Sequence, residues 1–143
     1  MDDKISKEEK LMALLCHLSI FIPNIGMLAP IIIWVTNKEK SDFVRFNALQ
    51  AIFFQLIFFI FMMLFMFAGI ILMLVAIPWY DLSSNAEPGT LFFLSMVFMF
   101  MFFPLWIIFG IYAAVASVKS YKGKMFKYAI IGRIIERKVY SEN

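Results

Sequence analysis

Charged residues are scarce in this sequence, and their scarcity excludes an ordinary soluble domain. Only 16% of the 143 residues are charged and 63% are hydrophobic, whereas a soluble domain has about a quarter charged and about half apolar residues. The length allows one domain, whose apolar surface would contact lipid where a soluble protein contacts water. The composition therefore predicts an all-α integral membrane protein.

Cysteine and catalytic motifs are also scarce. The single cysteine, Cys16, cannot form an intramolecular disulfide, so cysteine usage does not indicate a redox compartment. Cys16 and His17 are adjacent, and adjacent helical side chains point about 100° apart, which disfavours a shared metal ion. The sequence contains no phosphate-binding loop, dinucleotide-binding glycine pattern, zinc-protease motif or nucleophile elbow. We therefore expect no enzyme activity, no cofactor and no metal.

Two apolar runs are long enough to cross a bilayer, which needs about 20 residues. The first predicted helix occupies 41–77: an amphipathic entry begins near Ser41 or Asp42, which suit the start of a helix, and the transmembrane run follows at 56–77. The second occupies 91–118, where Pro104 predicts a kink because proline removes a backbone hydrogen bond. The segment 78–90 is rich in turn formers and has no basic residue, so we expect an exposed external loop.

The first apolar region, 11–36, is interrupted by helix breakers at Pro23, Asn24, Gly26 and Pro30. Each of the two pieces has about a dozen residues and is too short to cross a hydrocarbon core of about 30 Å. The pattern favours a helical hairpin, either re-entrant or thin-spanning, that enters and leaves the membrane on one side. Two alternatives stay open: one tilted span with the N-terminus outside, or a cleaved signal peptide.

Lysine and arginine predict which side of the membrane each segment faces. Segment 1–10 carries three basic residues, 38–45 carries three, and the tail 119–143 carries seven, whereas 78–90 carries none. Short cytoplasmic loops accumulate such residues. We therefore expect a multi-pass protein of the plasma membrane with both termini in the cytoplasm.

The basic tail explains the net charge of +3 without nucleic acid, which we do not expect as a partner. Its isoleucines recur at helical spacing, which predicts an amphipathic helix with Ile130, Ile131, Ile134 and Ile135 on one face. Either the tail binds anionic lipid headgroups or its charges serve topology alone.

Polar side chains within the apolar segments are the candidate functional residues. His17, the only ionisable one, either relays protons or, as the favoured interpretation, hydrogen-bonds across a helix pair. Asn47, Gln50 and Gln55 either line a polar vestibule or bond between helices. Arg45 lies near them, at the charged start of the same helix.

A stripe of small residues in the second half of 91–118 is a candidate packing surface: Gly110, Ala113, Ala114 and Ser117. Small side chains let helix backbones approach closely. The expected partners are the lipid bilayer and either other membrane protein subunits or further copies of this chain.

Five parts of the sequence carry a family resemblance: Leu-Cys-His-Leu-Ser at 15–19, Pro-Asn-Ile-Gly at 23–26, Ala-Pro-Ile-Ile-Ile-Trp at 29–34, Phe-Val-Arg-Phe-Asn-Ala-Leu-Gln-Ala at 43–51, and the segment 128–135. Together they resemble a family of small prokaryotic membrane proteins that is similar to the channel-type subunit of the translocon of the inner chloroplast envelope. The resemblance implies four helical segments with both termini cytoplasmic. Members of that family often have His where this chain has Asn47.

These features favour one function and leave others open. The favoured hypothesis is a non-enzymatic subunit of a translocase, insertase or transporter assembly, with polypeptide passage implied by the plastid relative alone. The alternatives are a homo-oligomeric pore or small-solute carrier, and a lipid-organising or regulatory membrane protein. An enzyme acting on lipid ranks last, because no nucleophile, base and orienting group occur together.

Overall fold

A computed structural model describes residues 5–22, 25–76, 90–129 and 131–140, and within these ranges all regular secondary structure is helical. This confirms the predicted all-α class. The helices are α1 (Lys7–Leu18), a 3-10 turn (Ser19–Phe21), α2 (Leu28–Asn37), α3 (Asp42–Ala76), α4 (Thr90–Phe100), α5 (Phe102–Tyr121) and α6 (Ile131–Tyr140). The predicted external loop, apart from Thr90, and the helix breakers at 23–24 lie outside the described residues.

Two helical stretches are long and apolar enough to cross a membrane, Asp42–Val75 with 34 residues and Phe92–Tyr121 with 30. At about 1.5 Å per residue, both exceed the thickness of a hydrocarbon core of about 30 Å. Only 11% and 6% of their most apolar windows are buried within the protein, unlike the core helix of a soluble domain. The prediction of two long apolar helices is confirmed.

The second stretch is interrupted close to its proline. Helix α4 ends at Phe100 and α5 begins at Phe102, with Met101 forming a turn between them. Pro104 has no N–H to bond the carbonyl of Phe100, and its ring crowds that carbonyl. The interruption therefore falls within the turn preceding Pro104, as expected for proline inside a helix.

The chain divides into two units, each described by itself. Unit 1 comprises Met1–Ile57 and Phe109–Asn143, and unit 2 comprises Phe58–Ile108. In unit 1 the first half of α3 packs against α1 and α6. Val44 packs with Ala13 of α1, Ala48 with Cys16, and Phe46 with Ile135 of α6.

A hydrogen-bonded cap fixes the start of α1, and a tight turn at Gly26 follows its other end. The Ser6 hydroxyl accepts from the Glu9 backbone, and the Glu9 carboxylate accepts from the Ser6 backbone, which caps α1. The Ser41 side chain lies close enough to Glu9 to lower the pKa of its carboxyl group, so the start of α1 lies beside the residue that precedes α3. At the other end, a Cβ on Gly26 would lie 2.1 Å from the Ser19 carbonyl oxygen, so only glycine fits this turn.

Helix α6 buries a narrower face than the sequence suggested. Gly132, Ile135 and Val139 are buried, and the last two pack against Phe46. Ile134 is 66% exposed, and Ile130 lies outside the described residues. Half-buried Ile131 packs with Ile135 and Val139 against Phe46, so the face of α6 that contacts α3 is a row spaced i, i+4, i+8, and that row excludes Ile134.

Unit 2 consists of apolar helix surfaces in contact. The rings of Phe65 and Phe98 stack with centroids 4.3 Å apart, and Gly69 lets α3 approach α4 beside them. An apolar groove of about 220 Å³ runs along these helices. It is lined by Phe65, Met66, Met99, Phe102 and Phe103.

Candidate functional site: a buried polar network in unit 1

Three amide side chains project from the first half of α3 into unit 1. Asn47 and Gln50 are one turn apart, and Gln55 points to a different side of the helix. All three are buried, Asn47 and Gln50 completely. A buried amide needs hydrogen-bond partners, so each one identifies a segment that packs against α3.

Asn47 connects α1 and α5. Its Oδ1 lies 3.2 Å from His17 Nε2 and accepts a hydrogen bond of 2.7 Å from the Ser120 hydroxyl. Its Nδ2 donates to the Phe43 carbonyl at 2.8 Å, which assigns the oxygen of the amide to His17 and Ser120. Asn47 therefore joins three helices through one side chain.

The hydrogen bonds around His17 fit one neutral form of its ring. Nε2 faces the Asn47 oxygen, which only accepts, so Nε2 carries the proton. Nδ1 then accepts from the Tyr128 hydroxyl, 3.1 Å away. Burial raises the pKa of Tyr128 above its usual range, so this phenol remains a donor. Both ring nitrogens of His17 are thus engaged within the protein.

Gln50 attaches the segment after α5 to α3. Its Nε2 donates to the Phe126 carbonyl at 2.9 Å, and its Oε1 accepts from the Tyr128 backbone N–H at 3.0 Å. The Gln50 amide thus bonds the backbone of Phe126 and Tyr128 in the way that a neighbouring β-strand would. The segment 124–129, which has no helix of its own, is therefore held by a side chain.

Gln55 donates hydrogen bonds to acceptor groups at the end of α1. Its Nε2 donates to the Cys16 carbonyl at 3.3 Å and to the Ser19 hydroxyl at 2.9 Å. The Ser19 hydroxyl also donates to the Cys16 carbonyl at 2.8 Å. Carbonyl groups at a helix end lack partners in the helix, and Gln55 supplies one inside the protein.

An aromatic cluster encloses the network. The rings of Tyr128 and Phe54 are almost parallel, with centroids 4.2 Å apart. Tyr112 and Phe126 meet the Tyr128 ring edge to face at 5.2 and 5.3 Å, and His17 meets it at 5.6 Å. Tyr128 therefore supplies both a hydrogen bond and the centre of an apolar contact surface.

The small-residue stripe of α5 is placed around the same network. Ala113 and Ser117 are buried, Ala114 is half-buried, and a Cβ on half-buried Gly110 would lie 3.2 Å from the Phe21 ring. The buried face continues through Ala116 and Ser120. Small side chains here let α5 approach closely enough for Ser120 to reach Asn47.

Arg45 lies at the charged start of α3. It is half-buried and lines a polar groove of about 350 Å³ at the start of α3, with Lys38, Glu39, Lys40, Ser41 and Asp42. The structure thus brings His17, Asn47, Gln50 and Gln55 into one buried region and places Arg45 at the surface.

Sequence reasoning missed three members of the network: Ser19, Ser120 and Tyr128. Ser120 lies one turn beyond Ser117 and continues the small-residue stripe, so the helical spacing of small residues could have identified it. Tyr128 lies in a basic segment without helical periodicity, and its partner His17 is 111 positions away. Only the folded chain brings these two residues together.

The network is suited to holding helices together. Every hydrogen bond described here joins two parts of this chain, and Cys16 beside it is buried. Within the described ranges, no three His, Cys, Asp or Glu side chains are grouped to hold a metal ion.

One family model matches the chain, over residues 8–135. The model describes a magnetosome magnetite crystal formation protein family. No curated protein and no solved structure matches the chain. The matched range extends from α1 into α6 and contains the whole network.

The match corrects the resemblance to translocon-related proteins, which is wrong. The strongest of its strings, 43–51, is the part of α3 that packs inside unit 1, and most of its side chains are buried. A short string of Phe, Ala and Val with one or two amides suits any helix that is buried between other helices. Such strings therefore do not distinguish one family of small membrane proteins from another.

Proposed function

The chain belongs to the magnetosome magnetite crystal formation protein family, and from this membership we propose that it is a non-enzymatic subunit of a larger assembly in the magnetosome membrane. Its two helices that are long and apolar enough to cross a membrane support this location. The plasma-membrane location, the cytoplasmic termini and the movement of a polypeptide or solute by the assembly stay predictions.

The apolar groove of unit 2 carries this proposal. It has an opening bordered by Phe and Met side chains, and its volume of about 220 Å³ accommodates large apolar side chains. Methionine adapts to irregular partners, and aromatic rings supply large contact areas. Such a surface fits the side chains of a helix from another subunit.

Unit 1 supports the non-enzymatic part of the proposal. A general base needs a free lone pair near its substrate, whereas the His17 nitrogens are occupied by Asn47 and Tyr128. The network side chains support packing of α1, α5 and the tail on α3. Chemistry on a bound molecule would require these bonds to break first.

The same bonds weigh against a pore lined by His17, Asn47, Gln50 and Gln55. Polar groups that line an aqueous path bond water or the passing solute, whereas these four bond one another or other side-chain and backbone groups of unit 1. Conductance in planar bilayers that is lost in His17→Ala would favour the pore over the assembly hypothesis.

Photo-crosslinking in native membranes tests the proposal. A photoreactive amino acid replaces Met66 or Phe103 in the groove, and Leu64 serves as the matched control. Leu64 is 65% exposed and projects from the opposite side of α3 to Met66. We expect discrete protein adducts from the two groove positions and lipid adducts alone from Leu64.

The outcomes separate the hypotheses. Protein adducts of one defined mass at both groove positions support an assembly, and mass spectrometry then distinguishes another subunit from a second copy of this chain. Lipid adducts alone at Met66 and Phe103, matching those at Leu64, would overturn the proposal.

A further inference from the structure

The hairpin of α1 and α2 has an outer surface that nothing in unit 1 covers. Its inner residues are buried, among them Ala13, Cys16, His17 and Pro30. Its outer residues are large, apolar and at helical spacing: Leu11, Leu15, Leu18, Ile22, Ile25, Leu28, Ile32 and Val35. We call this set the outer stripe.

The lengths of the two helices match half a bilayer. The uncharged part of α1, from Leu11 to Leu18, and the 3-10 turn Ser19–Phe21 together give about 18 Å, and the 10 residues of α2 give about 15 Å. A hydrocarbon core is about 30 Å thick, so one leaflet contributes about 15 Å. Each helix is thus long enough to cross one leaflet and too short to cross two.

The two ends of the hairpin differ in chemistry. At its open end the start of α1 packs against the start of α3, since Ile5 and Met12 lie against Phe43 and Val44. Lysines flank this end at positions 7, 10, 38 and 40, and Lys38 lies 6.0 Å from the centre of the Trp34 ring. Between 11 and 37 there is no Asp, Glu, Lys or Arg.

This arrangement fits a lipid monolayer. Lysine is favoured at the headgroup level, where it meets anionic lipid, and exposed isoleucine and leucine are favoured among acyl chains. Peptide groups are satisfied within each helix, as the hydrocarbon region requires. The open end therefore belongs at the headgroups and the turn at Gly26 near the middle of the bilayer.

We propose that the α1–α2 hairpin inserts into a single leaflet, with the outer stripe against acyl chains and the lysines against headgroups. This goes beyond the assembly function because the partner is lipid. The hairpin adds area to one leaflet, whereas a spanning helix adds area to both. The protein therefore prefers membranes that are convex on the side of the hairpin.

The depth of insertion is measured by fluorescence quenching. In a Cys16→Ala background, which removes a small buried thiol, single cysteines replace Lys40 at the open end, Ile25 at the turn and Leu64 in α3. Each carries an environment-sensitive fluorophore in vesicles with nitroxide lipids of defined depth. We expect headgroup quenchers to reach position 40 and deep acyl-chain quenchers to reach position 25, while position 64, exposed on an apolar helix, serves as the positive control for quenching by lipid.

Two results would overturn the proposal. Quenching of position 25 by aqueous iodide, as strong as at position 40, would place the hairpin in water or against a soluble partner. Quenching of position 25 by headgroup nitroxides of the opposite leaflet would make the hairpin a full span.

Membrane curvature is tested through the orientation of the reconstituted protein. Lys40→Cys is labelled from outside by a membrane-impermeant reagent in vesicles of decreasing size. We expect the labelled fraction to rise above one half as the vesicles become smaller, because the outer leaflet is convex. A fraction that does not depend on vesicle size would contradict the preference for curvature.

A matched pair of variants assigns the effect to the outer stripe. Leu15→Asp with Ile32→Asp places charge on the stripe, and Leu15→Ile with Ile32→Leu retains its character. The charged pair should lose the size dependence and the conservative pair should keep it. Circular dichroism verifies that both double variants are helical. If both are helical and show the same dependence on vesicle size, the outer stripe does not determine the orientation.

Discussion

The two halves of α3 lie in different chemical settings, although the helix is continuous and apolar throughout. In 42–57, within unit 1, the side chains of Phe46, Asn47 and Gln50 are completely buried. In 58–76, within unit 2, most side chains are exposed, as Leu64 is at 65%. One helix therefore combines a protein-packed half with a half suited to lipid or partner helices.

This difference shows what distinguishes a packed helix from a lipid-exposed one. Hydrophobicity does not distinguish the two, because lipid tails are as apolar as a leucine side chain and both kinds of helix surface favour the same residues. Amides do, because a buried amide in the hydrocarbon region needs a partner from the protein. Asn47, Gln50 and Gln55 all lie in the packed half, and 58–76 contains no amide.

The largest expected effect comes from adding a methyl group to the turn in unit 1. In Gly26→Ala the new Cβ would lie 2.1 Å from the Ser19 oxygen and 2.6 Å from the Ile22 oxygen, both backbone atoms. We expect a loss of about 3 kcal/mol or more, because backbone cannot move aside cheaply. Unfolding in mixed micelles, monitored by circular dichroism, measures it.

The matched variant in unit 2 is Gly69→Ala. Its Cβ would lie 3.1 Å from Met99 Cγ, an atom of a flexible side chain. We expect a change within about 1 kcal/mol, since methionine adjusts its rotamer. Equal losses in the two variants would remove this distinction between the units.

A second prediction concerns the buried amide that joins three helices. Asn47→Leu removes the acceptor for His17 Nε2 and the Ser120 hydroxyl, leaving two buried donors unpaired. We expect a loss of about 2 kcal/mol or more in the same unfolding assay. In unit 2, Ser95→Ala removes only a bond to the Phe92 carbonyl of its own helix, and should change stability by less than about 1 kcal/mol.

A third prediction separates the two roles of Tyr128. Tyr128→Phe keeps the ring stacked on Phe54 and removes the donor to His17 Nδ1. We expect a loss of about 1 kcal/mol, together with faster proteolysis after Tyr121. Tyr112→Phe, in the same aromatic cluster but partly exposed, serves as the control. Identical proteolysis of the two variants would contradict a role for the Tyr128 hydroxyl.

The smallest expected effect is a pH dependence at the open end of the hairpin. Hydrogen bonds from Ser41 and from the Ser6 backbone lower the pKa of Glu9 below its usual value. The stabilisation is therefore complete above the unfolded carboxyl pKa of about 4.3 and is lost as the pH falls through the lower folded value. Glu9→Gln should flatten this acid limb of the unfolding curve, whereas exposed Glu8→Gln should retain it.

Much of the secondary structure was predictable from the sequence, and the network was predictable only in part. Ser41 caps α3 as its residue type suggested, accepting from the Val44 backbone. His17 and the three amides were recognisable because polar groups in apolar segments need a reason to be there. Their partners were not recognisable, since Tyr128 lies in a segment without periodicity and the Phe126 partner of Gln50 is a backbone carbonyl.

The family assignment shows a second limit. The strings 15–19 and 43–51 are parts of α1 and α3 that pack against each other. They reflect the requirements of that contact and carry little that is specific to one family. The family model uses the whole range 8–135, and its match replaced the translocon-related assignment.

The sequence by itself determined the all-α class and the two long apolar helices, because these features depend on local composition and the length of apolar runs. The tertiary structure alone decided which apolar surfaces are covered and which polar groups meet. Burial between helices and exposure to lipid favour the same side chains, so composition cannot separate them. Hydrogen bonds between residues as distant as His17 and Tyr128 exist only once the chain has folded.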